Sequence, residues 1–308
     1  MAELISIGVA VADYLWLCEE GAGMKFRPAV DHLAQGGGPA ATAAVTMARL
    51  GGDVEVWCRV GEDEAGRFIL RQFEKEGVDT SQVTVCREGR SPVCAVTVDR
   101  RTGERSFVTF LGRGLDVPAS ALDLGRIDGA KAVLVDSYWP DAQLPAARRA
   151  HEAGVPVCAD VERVSDVQRE LLRSVAYPIY SLEAAREYAG VDDAKEALRG
   201  VAELGGRVPM ITLGEEGCVW LEDNAVCRCP AFAVEVVDTT GCGDVFHGAF
   251  TFGVARGWDV AANARFASAT AALKCRALGG RTGIPTYDEV VAFLATRGGM
   301  GSEDRMDG

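Results

Sequence analysis

The segment Val237-Asp238-Thr239-Thr240-Gly241-Cys242-Gly243-Asp244-Val245-Phe246-His247-Gly248-Ala249 joins a strand-like run, Ala233 to Val237, to an apolar helical pattern through a glycine turn. Such a turn aims backbone N–H groups at one point on a helix N-terminus, and that point attracts anions. Asp244 stands where the anion would lie. A carboxylate there repels a static phosphate, so the chemistry it suits is that of a base taking a proton from a hydroxyl that attacks the phosphate. An isolated G-x-G-D is more often a turn with an Asp stabilised by the helix dipole. Here Asp238-Thr239-Thr240 adds oxygen ligands just before the turn, and each residue type has a separate task.

A second glycine cluster lies far upstream. It runs Gly36-Gly37-Gly38-Pro39-Ala40-Ala41-Thr42, followed by Leu50-Gly51-Gly52 and Val60-Gly61-Glu62-Asp63-Glu64-Ala65-Gly66. Glycines at a helix entrance let a ligand lie against the backbone, and equally serve plain turns. Thr212-Leu213-Gly214-Glu215-Glu216-Gly217 reads by itself as a strand–turn–strand connection. Cys242, at a helix N-terminus among amides, is expected to favour the thiolate and to be shielded from alkylation by a bound nucleotide. An inert small side chain is the competing reading. His247, one turn into the helix, reads as a packing or capping residue.

The elements that must position these residues alternate. Leu4 to Val11 reads as a buried strand, Pro39 to Leu50 as an Ala-rich helix, Val54 to Val60 as a strand, and Glu64 to Glu76 as an amphipathic helix with Phe68, Ile69 and Phe73 on one face. Ala132 to Val135, Val155 to Ala159, Ile179 to Tyr180 and Met210 to Leu213 are short apolar strands. Helical stretches near 141–153, 166–174, 183–189 and 193–204 separate them. This alternation predicts an α/β fold with a parallel sheet covered on both faces. Two segments break the rhythm. Ser91 to Asp99 and Arg105 to Leu111 alternate around a turn and read as an antiparallel hairpin. Asp13 to Leu33 is polar and irregular. Val245 to Arg256, Val260 to Lys274 and Asp288 to Ala295 are the closing helices, and the Gly-rich charged stretch from 298 to 308 is expected to be a disordered tail.

Net charge is −13 over 308 residues, which argues against nucleic acid or an anionic membrane as partner. Positive potential for a phosphate must then come from backbone dipoles, Mg²⁺ or a few Arg and Lys. The ten cysteines are scattered without a C-x-x-C, and three histidines add little, so a zinc site is not expected. Neither a signal peptide nor an apolar stretch of membrane-spanning length is evident, and the expected compartment is the reducing cytoplasm.

The two glycine motifs, in order and roughly two hundred residues apart, resemble the two signatures of the ribokinase-like (PfkB) sugar kinase family. The resemblance runs from about Leu4 to Ala295. It implies an α/β, ribokinase-like three-layer sandwich with a mostly parallel central sheet and a small β lid. The kinase domain would span 1–297, with the lid formed by about 13–33 and 91–111. Asp244 matches the family's catalytic base, and the amides of Gly241, Cys242 and Gly243 match its anion hole for the transferring phosphoryl group. Asp13 matches a sugar-hydroxyl binder, and Gly37 and Gly38 match glycines that line the sugar. Thr212, Gly214 and Gly217 match a T-x-G-x-x-G segment that touches ATP. Asp238 and Thr240 match positions that help bind a monovalent cation, K⁺ in many members.

Departures from the family pattern bear on the substrate. Ala41 replaces the usual Asn of the first signature, which counts against ribose. The N-x-x-E segment that organises Mg²⁺ appears as Ser181-Leu182-Glu183-Ala184, leaving Ser181 and a shifted Glu183 to serve. Cys242 replaces a common Ala. Gly36 to Val45, Val245 to Ala249, Arg265-Phe266-Ala267, Ala271 to Cys275 and Gly279-Gly280-Arg281-Thr282-Gly283-Ile284-Pro285 resemble the sulfofructose kinase branch, with part of the last segment shared by ketohexokinases. Thr109 and Tyr138 stand where that branch is expected to carry an Asn and an Arg holding a sulfonate, which counts against the sulfonate itself. The resemblance therefore implies ATP-dependent phosphorylation of a primary hydroxyl, on a ketohexose-like sugar at C1, with ATP and Mg²⁺; the apolar face of the lid hairpin, read from its residues, suggests a homodimer through the lid. Lys25, Arg27, Arg105 and Arg113 in the lid would meet an anionic sugar. Fructose, ribose, keto-deoxy-gluconate or a nucleoside stay open as acceptors, and so does a non-catalytic sugar- or nucleotide-binding regulator.

Overall fold

Short apolar runs buried on both faces form strands, and the amphipathic stretches between them cover those faces. In the computed structural model, residues 2–19, 28–101, 105–163, 165–299 and 304–305 are described. The strands are β1 (Leu4–Ile7), β2 (Val11–Cys18), β3 (Ala29–Gly37), β4 (Val54–Trp57), β5 (Arg59–Gly61), β6 (Thr84–Cys86), β7 (Val93–Asp99), β8 (Arg105–Phe110), β9 (Ala132–Val135), β10 (Val157–Val161), β11 (Tyr177–Ser181), β12 (Met210–Thr212), β13 (Cys218–Glu222), β14 (Ala225–Cys229) and β15 (Asp304–Arg305). The helices are α1 (Pro39–Arg49), α2 (Glu64–Lys75), α3 (Pro140–Ala153), α4 (Asp166–Leu172), α5 (Leu182–Ala189), α6 (Ala194–Ala202), α7 (Cys242–Ala255), α8 (Val260–Lys274) and α9 (Tyr287–Ala295).

The central sheet runs β15-β14-β13-β12-β11-β10-β9-β1-β4, parallel from β4 to β12 and antiparallel beyond. Alternate residues of β1 feed two cores. Leu4 packs with Val54, Val56 and the apolar faces of α7 and α8, whereas Ile5 and Ile7 pack with Val133, Val135 and α3 on the other side. Each such side chain contributes about 1.5–3 kcal/mol of burial. A four-stranded lid sheet, ordered β3-β2-β7-β8, projects from one edge and has its own small core of Val11, Leu15, Cys94, Val96 and Val98.

One packing relationship brings the two glycine motifs together. Helices α1 and α7 lie side by side, and a Cβ on Gly248 would come within 2.6 Å of the Ala43 carbonyl oxygen and 2.9 Å of Ala43 Cα. Only a bare glycine in α7 facing the alanine-rich α1 lets the two backbones approach so closely.

Several elements depart from expectation. Leu4 to Val11 is two strands, since the Asp136 carboxylate accepts the Val9 N–H at 2.8 Å and takes it out of the ladder. Val54 to Val60 likewise divides into β4 and β5. Asp13 to Leu33 is regular where it is described, in β2 and β3; its polar pattern reflects an exposed lid face. Lys25 and Arg27 lie outside the described residues. Ala233 to Val237 forms no strand. It is a loop whose end is pinned by Val237 and Asp238 N–H groups on the Cys275 carbonyl, at 2.8 and 3.1 Å. In the tail, Asp304–Arg305 is paired rather than disordered, antiparallel to Arg228 and Cys227. Residues 300–303 and 306–308 lie outside the described residues.

Candidate active site

The glycine turn before α7 is built around Asp238. Its Oδ1 accepts the Thr240 N–H at 2.8 Å and the Thr240 hydroxyl at 2.7 Å, and its Oδ2 accepts the Gly279 N–H at 2.8 Å. These donors hold the Asp238 carboxyl below its ordinary pKa against the opposing effect of burial. Gly241 then adopts φ 71°, a left-handed conformation that an L side chain would strain, and becomes the N-cap of α7. The Cys242 N–H closes the turn onto the Thr239 carbonyl at 3.2 Å, whereas Gly241 and Gly243 make no such backbone bond among the described residues. The Gly243 N–H lies against the Cys242 sulfur, and the positive end of the α7 dipole stands at this turn.

That helix terminus opens on a cavity of about 900 Å³. Cys242, Gly243 and Thr239 form its floor, Thr212, Gly214 and Gly217 one wall, and Phe232, Val234 and Val236 an apolar wall opposite. The loop that failed to become a strand serves here: Val236, 58 % exposed, presents apolar surface to the cavity. Arg105, at the start of β8, also reaches this cavity, so this lid cation faces the α7 terminus. Arg113 is engaged through its backbone with Arg90.

Asp244 sits in the first turn of α7, half-buried. Burial pushes its pKa well above the usual carboxylate range, and the negative charges of Asp160, Glu162, Cys242 and Asp13 push the same way. Asp13, on β2, is raised to about 6 by burial, with Arg281 opposing. A Cβ on Gly37 would overlap the Asp13 carboxylate, so Asp13 lies directly against the upstream glycine cluster. Arg281 fixes this loop from behind: it is buried, donates to the Gly37 carbonyl at 3.1 Å and to the Thr42 hydroxyl at 3.2 Å, and lies over Phe73. Gly38 is the N-cap of α1, with Pro39 following at the first helical position.

Other candidates do not line this cavity. Thr109 is exposed on β8, its hydroxyl 3.1 Å from the Cys94 sulfur. Tyr138 donates its hydroxyl to Glu162 at 3.1 Å, with the Arg163 guanidinium stacked on its ring. Ser181 caps α5 by accepting the Ala184 N–H at 3.1 Å, and Glu183 is exposed in that helix's first turn; neither lines the cavity.

Sequence reasoning gave two buried groups no chemical role. His247, 6 % exposed, points Nδ1 at Asp160 Oδ2, 3.3 Å away, though the two are not aligned as a hydrogen bond. Burial alone would lower its pKa, but Asp160 and Glu162 outweigh that and raise it. Lys274 is fully buried, and its Nζ donates to the Asp238 carbonyl at 2.8 Å. Both fall on apolar helix patterns, where a polar residue gives no signal until its neighbours across the fold are known. Among the described residues no cluster of three or more His, Cys, Asp or Glu could cage a metal, and no helix is long and apolar enough to cross a membrane.

Comparison with known proteins agrees with this architecture. The chain is 31 % identical over 281 residues to the aminoimidazole riboside kinase of Salmonella typhimurium, covering 84 % of this chain and 88 % of that one. It is 29 % identical over 262 residues to the ribokinase of Bacillus subtilis, covering 84 % and 87 %. The crystal structure of a candidate ribokinase from Agrobacterium tumefaciens superposes with a TM-score of 0.92 at 32 % identity, over 96 % of this chain and 98 % of that one. The Arabidopsis thaliana ribokinase complexed with ribose and ATP shares the fold, with a TM-score of 0.84 at 24 % identity over 94 % and 98 %. The model of the pfkB family of carbohydrate kinases matches residues 1–287. The chain belongs to that family, and it is an ATP-dependent sugar kinase with the ribokinase-like fold.

Proposed function

We propose that Asp244 takes the proton from a sugar's primary hydroxyl as that oxygen attacks the terminal phosphoryl group of ATP. The carrying observation is its place in the first turn of α7, next to Cys242 and Gly243, which line the nucleotide-sized cavity, and within electrostatic reach of Asp13. Its raised pKa makes it the stronger base, and a positioned base contributes roughly 10²–10⁴ in rate. The amides of Gly241 and Gly243 face the developing charge, each worth about 3–4 kcal/mol in such sites. Cys242 contributes chiefly its side chain, because its amide is bonded to Thr239. Thr212, Gly214 and Gly217 hold the nucleotide phosphates, and Arg105 on the lid closes over them. Asp13, Gly37 and Gly38 orient the sugar.

Mg²⁺ arriving with ATP neutralises phosphate charge and commonly uses only one or two protein carboxylates. Asp160 fits that need, since neither of its buried carboxylate oxygens accepts a hydrogen bond, and Glu162 stands beside it. Ser181 and Glu183 are poorly set for this role, the first being spent on its cap.

The acceptor we favour is an uncharged ketohexose-like sugar, phosphorylated at C1. Asp13, Asp160 and Glu162 all bear on Asp244, and Arg281 is locked behind the loop, so an anionic acceptor such as a sulfonated sugar or 5-dehydro-2-deoxygluconate meets repulsion. Ribose and aminoimidazole riboside, named in the relatives, are the competing neutral acceptors. ADP release measured over fructose, tagatose, ribose, aminoimidazole riboside, sulfofructose and 5-dehydro-2-deoxygluconate, with NMR of the product, decides among them. A preference for either anionic sugar overturns the charge argument. The same proposal includes a homodimer through the lid, supported by Phe107 and Val108, 54 % and 75 % exposed on β8; sedimentation analysis tests it.

A further inference from the structure

We infer that the Lys274 side chain stands in the place of the monovalent cation that the Asp238–Thr240 turn resembles a site for, so that this enzyme needs no K⁺. The inference rests on the kinase reading above. The residues present do not fit a free cation. Asp238, the carboxylate that would bind it, already accepts three hydrogen bonds, from the Thr240 amide and hydroxyl and from the Gly279 amide. Its carbonyl oxygen, the other natural ligand, receives the Lys274 Nζ at 2.8 Å. Lysine is almost never fully buried without a partner, and Lys274 is 0 % exposed. It comes from the last turn of α8, and the segment that follows folds back over it, with the Ala277 N–H on the Lys274 carbonyl at 3.2 Å and Gly279 on Asp238. The side chain is thereby fully enclosed, with the ammonium held on the Asp238 carbonyl at the start of the glycine turn.

The consequence is electrostatic. A monovalent cation at this point would fix the turn and place one positive charge behind the amides that face the phosphate. A tethered ammonium does both, and unlike a bound ion it cannot be lost by dilution. Its field reaches the α7 terminus, since Lys274 and Arg105 both favour the anionic form of Cys242. Burial lowers the Lys274 pKa and Asp238 opposes that loss.

The test compares wild type and Lys274→Met in K⁺, Na⁺ or tetramethylammonium chloride at equal ionic strength. Wild-type kcat is expected to agree within about twofold in all three salts, against the roughly 10²-fold typical of losing a key electrostatic group. Lys274→Met is expected to lose about 10²-fold in tetramethylammonium and to regain activity selectively in K⁺. Saturable K⁺ activation of the wild type, or a folded Lys274→Met with full activity in every salt, would overturn the inference. Should Lys274→Met not fold, the wild-type salt series decides alone. Thermal melting without ATP or sugar gives a second readout: the wild-type Tm is expected to be indifferent to K⁺ against Na⁺, and a K⁺-specific rise contradicts the inference. An enzyme inactive on every sugar defeats the acceptor assignment while leaving the melting comparison intact.

Discussion

The Asp13 carboxylate occupies the space that a side chain on Gly37 would fill. The two residues come from neighbouring paired strands of the lid, β2 and β3, and their contact ties the proposed sugar-orienting acid to the loop that enters α1. Gly37→Ala must displace Asp13, and a misplacement of about 1 Å in such a site costs on the order of 10²-fold. We expect kcat/KM for the preferred sugar to fall by that order while the ATP affinity holds. Steady-state kinetics with each substrate varied will check it.

Asp13 also makes stability depend on pH. Its folded pKa is raised from 3.8 to about 6, so ionising it opposes folding. Its contribution is fully present below pH 3.8 and is lost as pH rises through about 6. Asp13→Asn is expected to remove about 2–3 kcal/mol of that pH dependence, at about 1.4 kcal/mol per pKa unit. Urea titrations of both proteins across this range measure it. Equal slopes against pH for the two would contradict the expectation.

Asp244→Asn is expected to fold and to bind ATP, and to lose about 10²–10⁴ in kcat. Burial and like charge raise this carboxyl, so a neutral amide relieves repulsion and the variant is expected to melt no lower than wild type. Calorimetric ATP binding with coupled-assay turnover separates the two effects. Turnover within tenfold of wild type would remove Asp244 from the role of base.

Gly248→Val tests the approach of α1 to α7. The new side chain meets the Ala43 backbone, which cannot yield as a side chain can. Overpacking of this kind costs about 1–3 kcal/mol. Because the contact sets the spacing of the two motifs, kcat should fall as well, in protein that remains folded by circular dichroism.

Cys242 is held down to about pKa 6, first by the Cys275 thiol and then by Lys274 and Arg105, against burial. Iodoacetamide labelling of this residue, followed by peptide mass spectrometry, should rise with pH through about 6 and be slowed by ATP. Cys275→Ala should move that inflection upward. Labelling that ignores nucleotide would show that the sulfur lies outside the bound phosphates.

The sequence by itself determined the strand–helix alternation, the two glycine motifs and the family they signal, because these depend on local periodicity and on residue types with few alternative uses. Ala132–Val135 and Val260–Lys274 fall where the pattern put them, since each is a run whose neighbours in sequence define it. Tertiary structure decided what local pattern cannot carry. Ala233 to Val237 has strand chemistry but pairs with no strand, and Ala233, Val234 and Val236 line the cavity instead. Ser181 looked like a phosphate-side ligand and is spent on its own helix. Arg281, His247 and Lys274 lie in segments that read as loop or apolar helix. Their meaning arises only where they meet Gly37, Asp160 and Asp238, across distances in sequence that no periodicity spans.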